Sequence, residues 1–273
     1  MATVRLTMAQ ALTRWMAAQS IEQLDGSIEP AFAGVWAIFG HGNVAGLGEA
    51  LYGVRDELPT FRGHNEQGMA HIAIAYAKQK QRRRMMAVTT SIGPGATNLA
   101  TAAALAHVNR LPVLLLPGDV FATRAPDPVL QQVESFADGT VSANDTLRPV
   151  SRYFDRITRP EQLLQALPKA MSVLTDPADC GPVTLGLCQD VQAEAWDYPE
   201  HFFAPRVWRM RRIAPDDAEL ARAIACLKDA RRPLIIAGGG VRYSGAAAAL
   251  ADFAAGAGIP VAATQAGKSA LVE

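Results

Sequence analysis

The sequence predicts an α/β fold, a doubly wound parallel sheet followed by an incomplete second Rossmann-like α/β domain. Three observations predict it. Short runs rich in apolar and β-branched residues alternate with stretches of helical periodicity, glycine-bearing turns follow those runs, and the alternation restarts after Pro215. Strands joined through helices run parallel, and a parallel sheet covered on both faces keeps its functional loops at the C-terminal ends of its strands.

Taken in order, Thr7 is placed to cap a helix whose Ala11, Leu12, Trp15 and Met16 fall on one face. A strand at 35–39 runs into Gly40-His41-Gly42-Asn43, a turn that must pass close to something, and a second helix is expected at 46–52. A short strand at 59–62 leads through Gly63 and His64 to Asn65-Glu66, where a helix opens and runs to about Gln79. Asn65 can accept from the free backbone donors of the first turn, and Glu66 sits at the positive end of the helix dipole, so local capping alone accounts for an acid there. The helix itself, with Gly68, Ala70, Ala73, Ala75 and Ala77, carries few bulky groups, which lets another backbone or a flat ring approach. A carboxyl at the mouth of such a surface is partly desolvated and suited to share a proton with a ring nitrogen.

The run at 85–90 reads as a strand buried on both faces. It feeds Ser91-Ile92-Gly93-Pro94-Gly95-Ala96-Thr97-Asn98, then an alanine-rich helix and a strand at 111–117. His41, Asn65, Glu66, Gly93 to Asn98 and Gly118-Asp119 are therefore expected along one edge. Residues 123–158, with Gln131, Gln132 and the polar run Ser142-Ala143-Asn144-Asp145, read as a long connection able to fold over that edge. A helix at 160–174 buries Leu163, Leu164, Leu167, Met171 and Leu174. A strand at 182–187 is expected to close the first domain, and 196–208 reads as a linker strapped to its surface. Beyond Pro215 come a helix to about Ala230, a strand at 233–237, the turn Gly238-Gly239-Gly240, a helix from Ser244 and a strand at 259–263. Two parallel strands cannot bury both faces of such a sheet, so the second domain is expected to be cut short and the chain to be part of a longer protein. The expected division is 1–200 for the first domain, 201–214 for a linker and 215–273 for the start of the second.

Composition narrows the function. Hydrophobic residues make up 49% of 273, and Lys plus Arg (26) balance Asp plus Glu (26) for a formal charge of +0, so no overall field draws the chain to nucleic acid or to an acidic membrane. The cluster Lys78, Lys80, Arg82, Arg83 and Arg84 reads as a solvated helix end. Cys180, Cys188 and Cys226 are odd in number and lack Cys-x-x-Cys spacing, which argues against disulfides and zinc and for buried thiols in a reducing cytoplasm. No apolar run is long enough to cross a bilayer.

Two glycine loops invite a dinucleotide-binding oxidoreductase as an alternative. Gly93-x-Gly95-x-x-Asn98 follows a strand and has Asp119 downstream for a ribose hydroxyl, although Pro94 stiffens the turn and Asn98 stands where a small residue belongs. Gly238-Gly239-Gly240 has Tyr243 at the third position, and Ala266-Gly267-Lys268-Ser269 lacks the first glycine of a P-loop, since Ala262 stands there.

The motifs Asn65-Glu66-Gln67-Gly68-Met69-Ala70-His71, Gly93-Pro94-Gly95-Ala96-Thr97-Asn98 and Leu111-Pro112-Val113-Leu114 resemble the N-terminal, pyrimidine-binding domain of thiamine diphosphate enzymes of the acetolactate synthase type. Within that family, Phe39-Gly40-His41-Gly42-Asn43-Val44, Pro128-Val129-Leu130-Gln131-Gln132, Arg148-Pro149-Val150-Ser151-Arg152-Tyr153 and Thr264-Gln265-Ala266-Gly267-Lys268-Ser269 are similar to the members of inositol catabolism that hydrolyse a carbon–carbon bond of a polyhydroxy cyclic 1,2-dione.

The resemblance implies that Glu66 hydrogen-bonds N1′ of the cofactor's aminopyrimidine and favours the tautomer that deprotonates the thiazolium. It implies that Gly42, Asn43, Gly93, Pro94, Gly95 and Asn98 bind the cofactor with Glu66; His41, His64 and Gln131 are the candidates for handling substrate. Magnesium and the diphosphate would be held by a Gly-Asp-Gly and a downstream asparagine in a C-terminal domain beginning after residue 273. Gly118-Asp119-Val120 with Asn144 imitates that spacing, but Val120 breaks it, so no metal ligand is expected here. The family's site lies between two subunits, which implies a homodimer or homotetramer and weak cofactor binding without turnover by this chain alone. His41-Gly42-Asn43, Asn65 and Ile92 depart from the Pro-Gly-Gly, histidine and serine of many relatives. Another thiamine-dependent 2-oxo acid decarboxylase or carboligase, or a non-catalytic partner subunit, are the other readings.

Overall fold

A computed structural model describes residues 2–135 and 137–271, so Met1, Val272 and Glu273, at the ends of the expected 1–200 and 215–273 stretches, lie outside the described residues. The chain divides into two compact units, Met1–Met210 and Arg211–Glu273.

The first unit opens on strand β1 (Thr3–Thr7), whose last residue caps helix α1 (Met8–Ala17). The Thr7 hydroxyl accepts from Gln10 N at 3.2 Å while Thr7 N donates to Gln10 Oε1 at 3.0 Å, a reciprocal box that satisfies two helix-start donors. Strands β2 (Gln19–Glu22) and β3 (Ile28–Pro30) form a hairpin before β4 (Phe32–Ile38) enters the main sheet. The expected turn at Gly40–Asn43 forms one helical turn, α2. A π-helical stretch, Val44–Gly48, then passes into α3 (Glu49–Gly53). Next come β5 (Thr60–Arg62), α4 (Glu66–Gln79), β6 (Met85–Thr90), α5 (Pro94–Thr97), α6 (Ala100–Asn109) and β7 (Val113–Asp119).

The stretch 123–158 holds more structure than its composition suggests. A 3₁₀ segment, Ala143–Val150, leads into β8 (Tyr153–Ile157), which pairs in parallel with β9 (Pro182–Cys188) beyond α7 (Leu163–Leu174). The six-stranded sheet has the order β5-β4-β6-β7-β9-β8. Thus β9 is an inner strand and does not close the sheet. β8 does, as a half-buried edge whose Asp155 and Arg156 hide it from a hydrophobicity scan. Every residue of β6, β7 and β9 is buried, as parallel inner strands require.

Helices cover both faces. On one, Leu12 and Met16 of α1 and Leu167, Ala170 and Met171 of α7 share a core with Ala87, Leu114, Leu116, Val183 and Leu185. On the other, Ala70, Ala73 and Ala77 are fully buried where α4 packs on β4 and β6, so the small residues of this helix bring it close to the sheet. The stretch 196–208 is woven in rather than strapped on. β10 (Ala195–Pro199) pairs with β1, β11 (Arg206–Trp208) pairs with β2, Tyr198 Oη donates to Pro160 O at 3.0 Å, and Trp208 Nε1 donates to Gln19 Oε1 at 2.9 Å.

The basic cluster differs from its expected solvation. Arg82 and Arg83 are 7% exposed, with Arg82 Nη2 donating to Asn109 O and Arg83 Nη1 to Glu22 O, because guanidinium groups reach backbone carbonyls at element ends that no local partner serves.

The second unit holds α8 (Asp217–Asp229), β12 (Ile235–Ala237), α9 (Gly239–Tyr243), α10 (Ala247–Ala257) and β13 (Val261–Ala263), with β12 and β13 parallel. Asp216 caps α8 by accepting from Glu219 N at 3.0 Å. Leu220, Ile224 and Leu227, one apolar stripe of α8, are exposed. Ala266–Ser269 follows β13 as a turn. No helix among the described residues is long and apolar enough to cross a membrane.

Cys180 and Cys188 are buried as expected, whereas Cys226 is exposed on α8. Burial pushes the thiols of Cys180 and Cys188 up to about 11 and about 12. A thiol raised in this way favours the neutral form in the fold, so its contribution is complete below the unfolded thiol range and is lost as pH climbs through the folded value. Burial raises the Tyr153 and Tyr198 phenols in the same direction. Two outcomes are expected. A chromogenic disulfide reagent should titrate one thiol per native chain and all three in urea, and the urea midpoint should fall as pH rises from about 9 to about 11. Rapid native reaction of all three thiols would contradict the packing.

Candidate active site

The C-terminal ends of β5, β4, β6, β7 and β9 form one rim, and the predicted residues gather there unequally. Asn65 caps α4 by accepting from Gly68 N at 2.8 Å, which fixes Glu66 in the first turn, half-buried. Its Oε2 accepts from Asn98 Nδ2 at 2.8 Å, joining two loops that are 32 residues apart in sequence. Its Oε1 lies over Gly95, 3.4 Å from where a Cβ would stand, with Ser91 Cβ at 3.6 Å and Thr90 Cβ at 3.9 Å from the same point. Beside the carboxyl, then, the wall is bare backbone.

Gly93 has φ +60°, and a Cβ there would stand 2.2 Å from Gln131 O, so only glycine lets the Gln131 backbone approach the rim. Pro94 opens α5, where its fixed φ suits the first helical position, and Asn98 ends it. Gln131 is exposed, with its Oε1 accepting from Ser91 Oγ at 3.4 Å. Gly40, at φ +53°, meets Ser91 from the other side: a Cβ there would stand 2.4 Å from the Ser91 hydroxyl. Ser91 is thus the point where the His41 turn, the Gly93 loop and the Gln131 loop converge.

Gly42 packs on Ile92, where its Cβ would come within 2.9 Å of Cγ2. Asn43 is fully buried and its polar atoms are spent inside the protein. Nδ2 donates to Thr89 Oγ1 (2.7 Å) and Thr90 O (2.8 Å), and Oδ1 accepts from Gln192 Nε2 (2.8 Å). Gln192 Nε2 also donates to Gly42 O (3.1 Å), while its Oε1 accepts from Leu47 N (3.1 Å) in the π-helical stretch. Asn43 and Gln192 therefore pin α2 across the ends of β6 and β7, and Asn43 acts on the rim through the backbone it holds. His41 is half-buried, with Nε2 shielded from solvent and unpartnered among the described residues. His64 is exposed before α4.

Asp119 is 2% exposed and bound on all sides. It accepts from Arg156 Nε (2.8 Å), Ser142 Oγ (2.9 Å) and Asn144 Nδ2 (3.1 Å). Burial alone would lower the Arg156 pKa, but the hydrogen bond and charge of Asp119 outweigh it and leave it raised. The carboxyl is spent within the fold and out of reach of a ribose, which removes the feature that favoured a dinucleotide. Asp119 and Asn144 do meet, as the metal-like spacing suggested, but around a guanidinium. Among the described residues no group of three or more His, Cys, Asp or Glu could hold a metal ion.

Ser91, Gln189 and Gln192 are rim residues that pattern reasoning misses. Ser91 stands in a loop already marked by its glycines. Gln192 and Gln189 carry no local signal, since their partners are about 150 residues away.

Two family descriptions match this chain. "Thiamine pyrophosphate enzyme, N-terminal TPP binding domain" covers residues 33–138, which contain Glu66, Asn98 and the Gly93 loop, and "Thiamine pyrophosphate enzyme, central domain" covers 220–273. The chain belongs to the thiamine pyrophosphate enzymes. Among curated members of this family, it is 55% identical over 271 residues to 3D-(3,5/4)-trihydroxycyclohexane-1,2-dione hydrolase 1 of Bacillus cereus, a match covering 99% of this chain and 42% of the relative. The hydrolase of that name from Geobacillus thermodenitrificans is 54% identical, and that from Bacillus anthracis 55%, over the same shares. The chain spans less than half the length of these relatives.

Proposed function

We propose that this chain supplies the pyrimidine-holding part of a thiamine diphosphate enzyme that opens a polyhydroxylated cyclic 1,2-dione by carbon–carbon bond hydrolysis. The observation that carries the reading is Glu66, half-buried, with one oxygen fixed by Asn98 and the other facing bare backbone at Gly95. A planar ring fits beside such a wall, and a carboxyl held there can exchange a proton with a ring nitrogen. When bound, the cofactor supplies a nucleophilic carbon and an electron sink. The chain's own residues bind and orient: Glu66 holds or releases the proton, Asn98 fixes its rotamer, Gly93, Pro94 and Gly95 shape the wall, and Gly42, backed by Asn43, bounds the far side. His41 and Gln131 stand on the rim for substrate, and His64, exposed before the Glu66 turn, is assigned with them.

Residues 1–200 are assigned to the pyrimidine-binding domain and 215–273 to a central α/β domain; of the connection at 201–214, the part to Met210 is folded into the first unit through the pairing of β11 with β2. Magnesium and the diphosphate are assigned to residues outside this chain, since Asp119 is committed to Arg156. A second subunit in a homodimer or homotetramer is assigned to the face of α4 and α6 next to Glu66. There the exposed residues Ile72, Ala75, Thr101, Leu105 and Val108 carry no charge. The balanced net charge and the three free thiols support a cytoplasmic enzyme with no nucleic-acid or membrane partner.

The test is direct. An enzyme of the relatives' full length carrying this sequence, supplied with thiamine diphosphate, magnesium and 3D-(3,5/4)-trihydroxycyclohexane-1,2-dione, should give the ring-opened acid by proton NMR. Turnover of a 2-oxo acid in place of the dione would overturn the substrate, and no turnover of either would overturn the activity.

A further inference from the structure

We propose that Gln189 and His41 form a hydroxyl-recognising pair on the rim, with Gln189 Oε1 as the acceptor that selects a neutral polyol over a carboxylate. The inference rests on the function proposed above and assigns it a specificity-determining residue. Gln189 directly follows β9, and its backbone N donates to Asp119 O at 3.2 Å, which ties it to the sheet edge. His41 follows β4, three places away in the order β4-β6-β7-β9, a span of about 14 Å at ordinary strand spacing. The two meet because α2 lies across the intervening strand ends, pinned by Asn43 and Gln192, so that Gln189 Nε2 reaches His41 O at 3.4 Å.

What each side chain keeps back is a hydrogen-bonding atom. Gln189 Oε1 and His41 Nε2 are both shielded from solvent and unpartnered among the described residues. Two such atoms, on residues joined through the His41 carbonyl at one functional rim, mark a place where a ligand completes the bonding. The chemistry of the pair is specific. An amide oxygen only accepts, while an imidazole nitrogen donates or accepts according to tautomer, so a hydroxyl can donate to Gln189 and a neighbouring oxygen can accept from His41. A carboxylate would meet the amide oxygen with its own lone pairs. The guanidinium at the end of the adjacent β8, Arg156, is held by Asp119 and cannot compensate.

The test needs neither cofactor nor turnover. This chain, with its histidine rings and glutamine side-chain amides isotopically labelled, is titrated with inositol as a neutral cyclic polyol and separately with pyruvate as a small carboxylate. Saturable shifts of the His41 ring and the Gln189 amide with inositol, and none with pyruvate, are expected. Gln189→Leu, which removes the acceptor, should weaken the inositol response roughly tenfold. Gln189→Glu keeps an acceptor and loses the donor to His41 O, so it should retain the response. Equal loss in both variants would show that the amide merely supports the His41 backbone and would overturn the proposal, as would a pyruvate response or no saturable response to inositol. Because the titration is independent of Glu66, its failure leaves the ring-opening chemistry standing. Conversely, intact inositol shifts in an enzyme that opens no dione would count against the function and not against the pair.

Discussion

Glu66→Gln is expected to lower the rate of dione opening by about 10²- to 10⁴-fold in an enzyme of the relatives' full length, the range that a positioned general acid–base group contributes. The change is small in shape. A glutamine oxygen can still accept from Asn98 Nδ2, so the link between the α4 start and the Gly93 loop survives. The amide nitrogen then faces Gly95, where it can donate but cannot take up a proton. Stability should change by no more than about 1 kcal/mol, since the hydrogen bond with Asn98 is kept and only the interaction of the charge with the helix dipole is lost. Retention of the rate within about tenfold, with the fold intact by circular dichroism, would show that proton exchange at this carboxyl is not what the rim provides. Asn98→Ala is a milder companion: the acid stays and only its rotamer is freed.

Arg156→Met should produce the largest loss of stability, on the order of 3–5 kcal/mol in urea unfolding. The Asp119 side chain has no exposed surface, and the guanidinium is its only cationic partner among the described ion pairs. Without it a carboxylate remains buried with Ser142, Asn144 and the Val120 N–H alone. The double change Asp119→Asn with Arg156→Met should recover much of the loss, because the cost of breaking such a pair lies in the charge left behind. If the single change costs less than about 1 kcal/mol, the buried pair is not what pins β8 and the Ala143–Val150 segment to the sheet.

Much of the fold is legible in the sequence for a plain reason: the signals are local. Thr7 and Gln10 lie three residues apart and form a box, Asn65 caps α4 at the same spacing by accepting from Gly68 N, and the apolar runs of β6 and β7 are long enough to demand burial on both faces. The misses share a cause as well. β8 escapes a pattern reading because an edge strand needs only one buried neighbour, so its Asp155 and Arg156 can be charged. Arg82 and Arg83 read like a solvated helix end, since their carbonyl partners at Asn109 and Glu22 are remote in sequence.

By itself the sequence determined that this is a parallel α/β protein with an acid in the first turn of a small-residue helix and a glycine loop at the end of a buried strand. Those features follow from spacing, capping and backbone freedom within a few residues. Only the tertiary structure decided that Asn98 orients that acid, that Ser91 joins three loops, that Asn43 and Gln192 turn inward to hold α2, and that Asp119 is consumed by Arg156. Each of those rests on a pairing between side chains 32 to 149 residues apart. Hydrogen-bond partners at that separation are chosen by the packing of strands and helices, and no periodicity within a single element encodes them.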